Sequence, residues 1–209
     1  MDKKEKLEEL KNKALKDDFL PLKSAETNLV FGVGNPDAAV LFLGEGPGYW
    51  ENLKEEPFVG NAGLLLNRLL GMIDIKREDV YITNVVMHRP PGNRDPEADE
   101  IEAYKPYIDG IIEIINPKVV ITLGRFSMAK FLPGATISSI HGKPREIEWK
   151  GKRLVIIPMY HPAAALRNGQ IMQRIREDFL KVPDVLENIR KQKNDKIEKE
   201  ETVEQMNLL

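Results

Sequence analysis

Four short runs of Val, Ile and Leu constrain this chain more than anything else in it: Ala38–Leu43, Val80–Thr83, Val119–Leu123 and Leu154–Ile157. None alternates strictly between apolar and polar residues, so each reads as a strand buried on both faces, the habit of a parallel sheet. Parallel neighbours need long crossovers, and segments with helical spacing stand between the runs. Asn61 is placed to cap a helix carrying Leu65, Leu66, Leu69, Leu70 and Ile73. Asp95-Pro96 reads as a cap and first-turn proline before Ile101, Tyr104, Ile108, Ile111, Ile112 and Ile115. Pro106 within that segment predicts a kink or break. Two further helices are expected from Gly124 onward and from Ile171 to Ile189, and the stretch Thr136–Arg153 reads as a β-hairpin or irregular excursion. Strands alternating with helices mean a parallel sheet covered on both sides.

At 209 residues, with 42% hydrophobic, the chain suits one compact α/β domain. Residues 1–190 are assigned to it, with residues 1–16 as a largely solvated N-terminal helix. Residues 191–209 read as a disordered charged tail, because Ile197 is the only apolar residue between Lys191 and Glu201. No apolar run of about 18 residues is present, which excludes a transmembrane helix, and no apolar stretch follows the charged N-terminus as a secretory signal would require. A cytoplasmic monomer is expected. The chain contains no cysteine, which excludes disulfides, thiolate-held clusters and a Cys nucleophile. The formal net charge of −2 removes the simplest argument for nucleic-acid binding.

Ligands of open parallel sheets bind at the carboxyl ends of the strands, and three distinctive segments stand there. Gly44-Glu45-Gly46-Pro47-Gly48 follows the first run, where glycines let the backbone turn sharply and present N–H groups. A plain strand-to-helix turn with a solvated Glu is the alternative. Asn84 follows the second run, either reading a hydrogen-bonding edge or capping a turn. His161-Pro162-Ala163-Ala164-Ala165-Leu166-Arg167 follows the fourth. Pro57-Phe58-Val59-Gly60 adds an aromatic ring, as ligand contact or core anchor.

These segments, with Tyr81-Ile82-Thr83-Asn84-Val85-Val86 and Arg89-Pro90-Pro91-Gly92-Asn93-Arg94-Asp95-Pro96, occur in an order that resembles the family 4 uracil-DNA glycosylases. The resemblance runs from about Thr27 to Pro183. It implies a three-layer α/β/α sandwich around a central four-stranded parallel sheet, in agreement with the residue pattern. The family carries a [4Fe–4S] cluster on four cysteines. Here the corresponding positions fall near Asp17 and Leu20, at His88 and at Tyr104, so no cluster and no other cofactor or metal is expected, with packing by Leu20 and Tyr104 in its place.

The resemblance further implies DNA repair by base excision: uracil is flipped out of DNA and its N-glycosidic bond hydrolysed, leaving an abasic site. It gives catalytic roles to Glu45, for the water and the sugar cation, and to His161, as donor to the departing uracil anion. Gly44, Gly46, Pro47, Gly48, Glu51, Phe58 and Asn84 are the substrate-binding candidates, with Phe58 stacking on the base and Asn84 reading its edge. Glu51 is assigned either to excluding the thymine methyl or to a solvent-facing helix position. Arg89, Arg94, Leu166 and Arg167 are the DNA-binding candidates, Leu166 as a wedge, and Arg174 and Arg176 extend a basic strip or lie on solvated helix faces. His88 and His141 are assigned structural roles.

The terminal Gln205-Met206-Asn207-Leu208-Leu209 is similar to the peptides by which bacterial repair enzymes dock on the sliding clamp, the tether raising local concentration. The partners implied are uracil-containing DNA and that clamp, at the nucleoid. The competing readings are a non-catalytic uracil-DNA binder and a glycosylase for another deaminated base. A mononucleotide-binding enzyme is disfavoured, because no Gly-x-Gly-x-x-Gly or Gly-Lys-Ser/Thr loop follows the first strand.

Overall fold

The computed structural model describes residues 1–191. The clamp-type peptide and almost all of the charged tail lie outside the described residues. The elements, in chain order, are α1 (Lys3–Lys16), β1 (Val33–Gly34), β2 (Val40–Gly44), α2 (Tyr49–Lys54), α3 (Asn61–Gly71), β3 (Tyr81–Asn84), α4 (Ala98–Ile115), β4 (Val119–Leu123), α5 (Arg125–Ala129), α6 (Ile137–Ile140), β5 (Arg145–Trp149), β6 (Lys152–Met159), α7 (Pro162–Ala165) and α8 (Gly169–Leu180). Residues 182–191 are helical as well.

The sheet has six strands in the order β1-β3-β2-β4-β6-β5. Its four central strands, β3, β2, β4 and β6, are mutually parallel and correspond to the four apolar runs. Two antiparallel edge strands extend it, so the expected four-stranded sheet is the parallel centre of a six-stranded one. Side chains alternate across the pleat, and both sides are apolar. Leu41 and Leu43 face a core with α1 and α4, while Val40 and Phe42 face one with α3 and α8. Phe42 stacks on Phe179 at 6.1 Å across the second interface. This is the three-layer arrangement. No helix among the described residues is long and apolar enough to cross a membrane.

Several local expectations are corrected. Gly60, not Asn61, is the cap of α3. Glu97, not Asp95, caps α4, through a reciprocal pairing with Glu100. The helix runs unbroken through Pro106, whose exposed position lets water satisfy the carbonyl left without a donor. The expected helix from Ile171 to Ile189 is interrupted at Lys181. The excursion after Thr136 is α6 followed by a β5–β6 hairpin, its two-residue turn formed by Lys150 and Gly151 at φ 48° and 75°, the twist such hairpins favour.

At the positions that the resemblance gives to cluster ligands, the donor chemistry is wrong for the group. Leu20 and Tyr104 are buried in the core that α1 and α4 share. The Tyr104 hydroxyl and His88 Nδ1 share a hydrogen bond of 2.7 Å, and Tyr107 donates to the Asp17 carboxylate at 2.6 Å. Burial pushes His88 from 6.5 down to about 4 and raises the Tyr104 phenol. An alkyl chain, a neutral phenol, a neutral imidazole and an engaged carboxylate do not fit an iron–sulfur cluster, whose ligands are thiolates.

The buried neutral His88 has a consequence for stability. An unfolded His takes up a proton below about pH 6.5, whereas the folded one resists until about pH 4, so stability falls as pH drops through that window. Between about pH 7.5 and about pH 5, this residue should lower stability by about 2 kcal/mol. Chemical denaturation should find that loss in the parent and correspondingly less in His88→Gln; equal pH sensitivity in the two would refute it.

Candidate active site

The parallel register brings the site together. Gly44 of β2 lies opposite Asn84 of β3, and Leu123 of β4 opposite Met159 of β6. The residues leaving these strand ends therefore meet at one edge of the sheet, around a cleft of about 430 Å³. Glu45, Gly46, Pro47, Gly48, Glu51, Phe58, Asn84, Arg94, His161 and Arg167 all line it. Gly44 lies beneath: a Cβ there would stand 2.3 Å from Asn84 Oδ1 and 2.6 Å from the Phe58 ring. Its missing side chain is what lets those two groups converge.

Glu45 is held at the start of α5. Its Oε1 accepts the Phe126 N–H at 3.0 Å, and Gly124, at φ 106°, leaves room where a Cβ would stand 2.3 Å from that oxygen. Burial raises its carboxyl above the ordinary range against the pull of the Phe126 amide, and the nearby Asp95 charge adds to the rise.

His161 caps α7. Its Nδ1 accepts the Ala163 N–H at 3.1 Å, so in the neutral ring Nε2 carries the proton and is the available donor. Burial pushes its pKa down to about 4, with the Glu51 charge opposing. Its ring stacks on Phe58, centroids 5.7 Å apart. Asn84 is 1% exposed, and its Oδ1 has no hydrogen-bond partner among the described residues. A buried acceptor without a partner is rare and calls for an explanation.

Glu51 is neither solvent-facing nor free. It is buried, and Oε1 accepts the N–H groups of Val59 at 3.0 Å and Gly60 at 2.8 Å. From the other side Arg77 donates to the Pro57 carbonyl at 2.6 Å. Between these restraints Phe58 is fixed at φ 54°, a left-handed conformation uncommon for so large a residue. Arg77 was not suggested by any sequence motif, since it lies 20 residues from the loop it holds.

The basic candidates divide. Arg94 reaches the cleft but is engaged by Glu100 through two hydrogen bonds of 2.9 and 2.5 Å. Arg89 does not line the cleft; it donates to Asn93 at 2.7 Å and lies over the Tyr49 ring. Arg167 is exposed at the rim, and Leu166 beside it is 48% exposed. Arg174 donates to the Tyr160 hydroxyl at 3.2 Å, and Arg176 is exposed. His141 pairs with buried Asp178 at 2.6 Å, away from the cleft. Asp95, read from sequence as a helix cap, instead lines the cleft and pairs with Arg125 at 2.5 Å. Among the described residues no group of three or more His, Asp or Glu is placed to hold a metal.

The sequence profile described as the Uracil DNA glycosylase superfamily matches residues 31–182. The chain belongs to that superfamily. It is 46% identical over 170 residues to a Type-4 uracil-DNA glycosylase of Archaeoglobus fulgidus, covering 78% of this chain and 85% of that one. A Type-4 uracil-DNA glycosylase of Sulfurisphaera tokodaii is 40% identical over 185 residues, 86% and 84% of the two chains. One of Thermotoga maritima is 43% identical over 163 residues, 77% and 84%. The matched span of this superfamily member contains every residue lining the cleft.

Removing the Glu51 carboxylate leaves two N–H groups without their charged acceptor, each such bond contributing about 1.5–3 kcal/mol. Glu51→Ala should lose about 3–6 kcal/mol in chemical denaturation, and Glu51→Gln, which keeps one acceptor, should recover part. Unchanged stability in Glu51→Ala would mean that these bonds do not hold the Phe58 loop.

Proposed function

We propose that this chain is a uracil-DNA glycosylase: it flips uracil out of DNA into the cleft and hydrolyses the N-glycosidic bond, leaving an abasic site. The observation that carries the reading is His161, whose Nδ1 is occupied by the Ala163 N–H and whose Nε2–H is therefore a neutral donor on the cleft. Breaking the bond sends its electron pair from C1′ to N1 of the base and into the ring oxygens, while the sugar becomes cationic. A fixed donor beside the uracil O2 stabilises the leaving anion without transferring a proton to it. A neutral imidazole suits this task better than a cation that would pair with the carboxylates.

Glu45 faces the sugar. Its carboxylate stabilises the cation and orients the attacking water, whose proton it accepts as the C1′–O bond forms. A carboxyl raised by burial is a better base than an ordinary one. The unpaired Oδ1 of Asn84 matches the N3–H of uracil; cytosine has an acceptor at that position, so the same contact rejects it. Phe58 forms the floor on which the base stacks. Arg167 and Arg89 meet phosphates, and exposed Leu166 fills the gap left by the flipped nucleotide. The enzyme works as a monomer at the nucleoid, and residues 205–209 deliver it to the sliding clamp. No step passes through a metal or cluster.

Single-turnover excision from a uracil oligonucleotide tests the assignment. His161→Ala and Glu45→Ala should each lose roughly 10²–10³-fold. The parent's rate should fall on the acid side as Glu45 takes up a proton and show no step near pH 6.5, because His161 stays neutral down to about pH 4. Uracil-dependent binding without excision would make the chain a lesion binder instead. Excision of cytosine alongside uracil would overturn the role given to Asn84.

A further inference from the structure

Helix α2 presents an apolar face that the catalytic reading does not use. Tyr49 and Trp50 are each 53% exposed, and Leu53 on the same short helix is 58% exposed. The two rings stand edge to face, 5.2 Å apart at 81°, and the Arg89 guanidinium lies 5.3 Å from the Tyr49 centroid. Two large exposed rings beside a half-buried cation are costly unless something covers them.

Their place says what does. Gly48, which precedes Tyr49, and Pro90, which follows Arg89, both line the cleft. The group therefore forms the rim beside the opening that takes the base. The helix beneath it is rigidly fastened. Glu51 accepts the amides of Val59 and Gly60. On the opposite side Asn52 accepts the Asn28 N–H at 2.8 Å and donates to the Glu26 carbonyl. Arg89 is steered by Asn93. A fixed aromatic pair with an adjoining arginine matches an unpaired nucleotide, with a π-face for the ring and a phosphate for the guanidinium.

We infer that Tyr49, Trp50 and Arg89 form a stacking platform for the base next to the flipped uridine, and that this platform makes single-stranded uracil-containing DNA the preferred substrate. The inference rests on the reading of the cleft as a uracil site. In a duplex the neighbouring base stays paired, and the face uncovered by flipping is turned into the gap that Leu166 fills. In a single strand its face is open, and stacking contributes sequence-tolerant affinity. Arg89, 5.3 Å from the Tyr49 centroid, holds the adjoining phosphate.

The test uses the full chain and a single-stranded oligonucleotide carrying one 2′-fluoro-2′-deoxyuridine, whose glycosidic bond resists cleavage. The chain has two tryptophans, Trp50 and Trp149, so in a Trp149→Phe background the emission reports Trp50 alone. Binding should quench that emission. Tyr49→Ala and Trp50→Ala should each weaken single-strand binding about tenfold, equivalent to 1.4 kcal/mol, while binding to the matching duplex changes little. Tyr49→Phe and Trp50→Phe should restore affinity. Replacing the flanking nucleotides by abasic spacers should weaken the parent by a similar factor and leave the alanine variants unaffected. Unquenched emission, equal losses on single strand and duplex, or losses that persist with the spacers would each overturn the platform. If the alanine variants bind DNA like the parent but the parent excises uracil normally, only the platform fails and the face belongs to a protein partner. If the parent neither excises uracil nor binds the modified oligonucleotide, the reading of the cleft fails with it.

Discussion

The site depends on a side chain that is missing. Gly44 ends the central strand β2 directly opposite Asn84, and the space above it is taken by the Asn84 carboxamide and the Phe58 ring. Any Cβ at that point would drive both groups out of the cleft, and the displacement would spread. Phe58 supports the His161 ring. Its loop is bound by Glu51 from α2 and by Arg77 from the far side. The close approach at one strand end thus fixes the relative positions of the Asn84 carboxamide, the Phe58 ring and the His161 imidazole. Parallel strands make this possible, because they deliver several chain exits to one edge of the sheet at fixed spacing.

Burial sets the chemistry through one physical effect acting on two groups in opposite directions. Desolvation disfavours charge, so it raises Glu45 and lowers His161. At neutral pH the imidazole is therefore held neutral, as a donor must be if it is to stabilise an anion without protonating it. The two groups are not hydrogen-bonded to each other. Each is oriented by a backbone amide at the start of a short helix, Phe126 for Glu45 and Ala163 for His161. Such amides do not titrate, so the Glu45 carboxyl keeps its orientation when it takes up a proton, and His161 keeps its own for as long as Nδ1 is unprotonated.

What could be read from the sequence follows the same physics. The four central strands were legible because burial on both faces leaves mostly apolar residues in them. The edge strands were not: β1 is two residues long, and β5 is largely exposed with the polar sequence Arg145-Glu146-Ile147-Glu148-Trp149. Glu45, Asn84 and His161 stood out in the sequence because they lie at the carboxyl ends of the apolar runs, and the structure brings all three to the cleft. The function of Glu51 was not, because its partners Val59 and Gly60 adopt their positions only once the loop has folded back. Asp95 was misread for a related reason. Asp-Pro is a good helix opening, but Glu97 and Glu100 form a stronger reciprocal cap two residues later, leaving Asp95 free to meet Arg125 on the cleft wall.

A chain with a net charge of −2 that acts on a polyanion must concentrate its few useful cations. The ion pairs determine which those are. Arg94 and Arg125 stand at the cleft, yet Glu100 and Asp95 neutralise them, so neither offers a full charge to a phosphate. Arg167 on one rim and Arg89 on the other are not so neutralised: Arg89 is held by a neutral amide and an aromatic ring, neither of which cancels its charge. Two cations flanking a mouth give a short-ranged field, screened beyond about 10 Å at ordinary ionic strength, which suits the two phosphates around one extruded nucleotide better than a long tract of duplex. On the proposed reading, affinity then comes chiefly from the base in the cleft and from the apolar groups at its rim, Leu166 on one side and the Tyr49–Trp50 pair on the other.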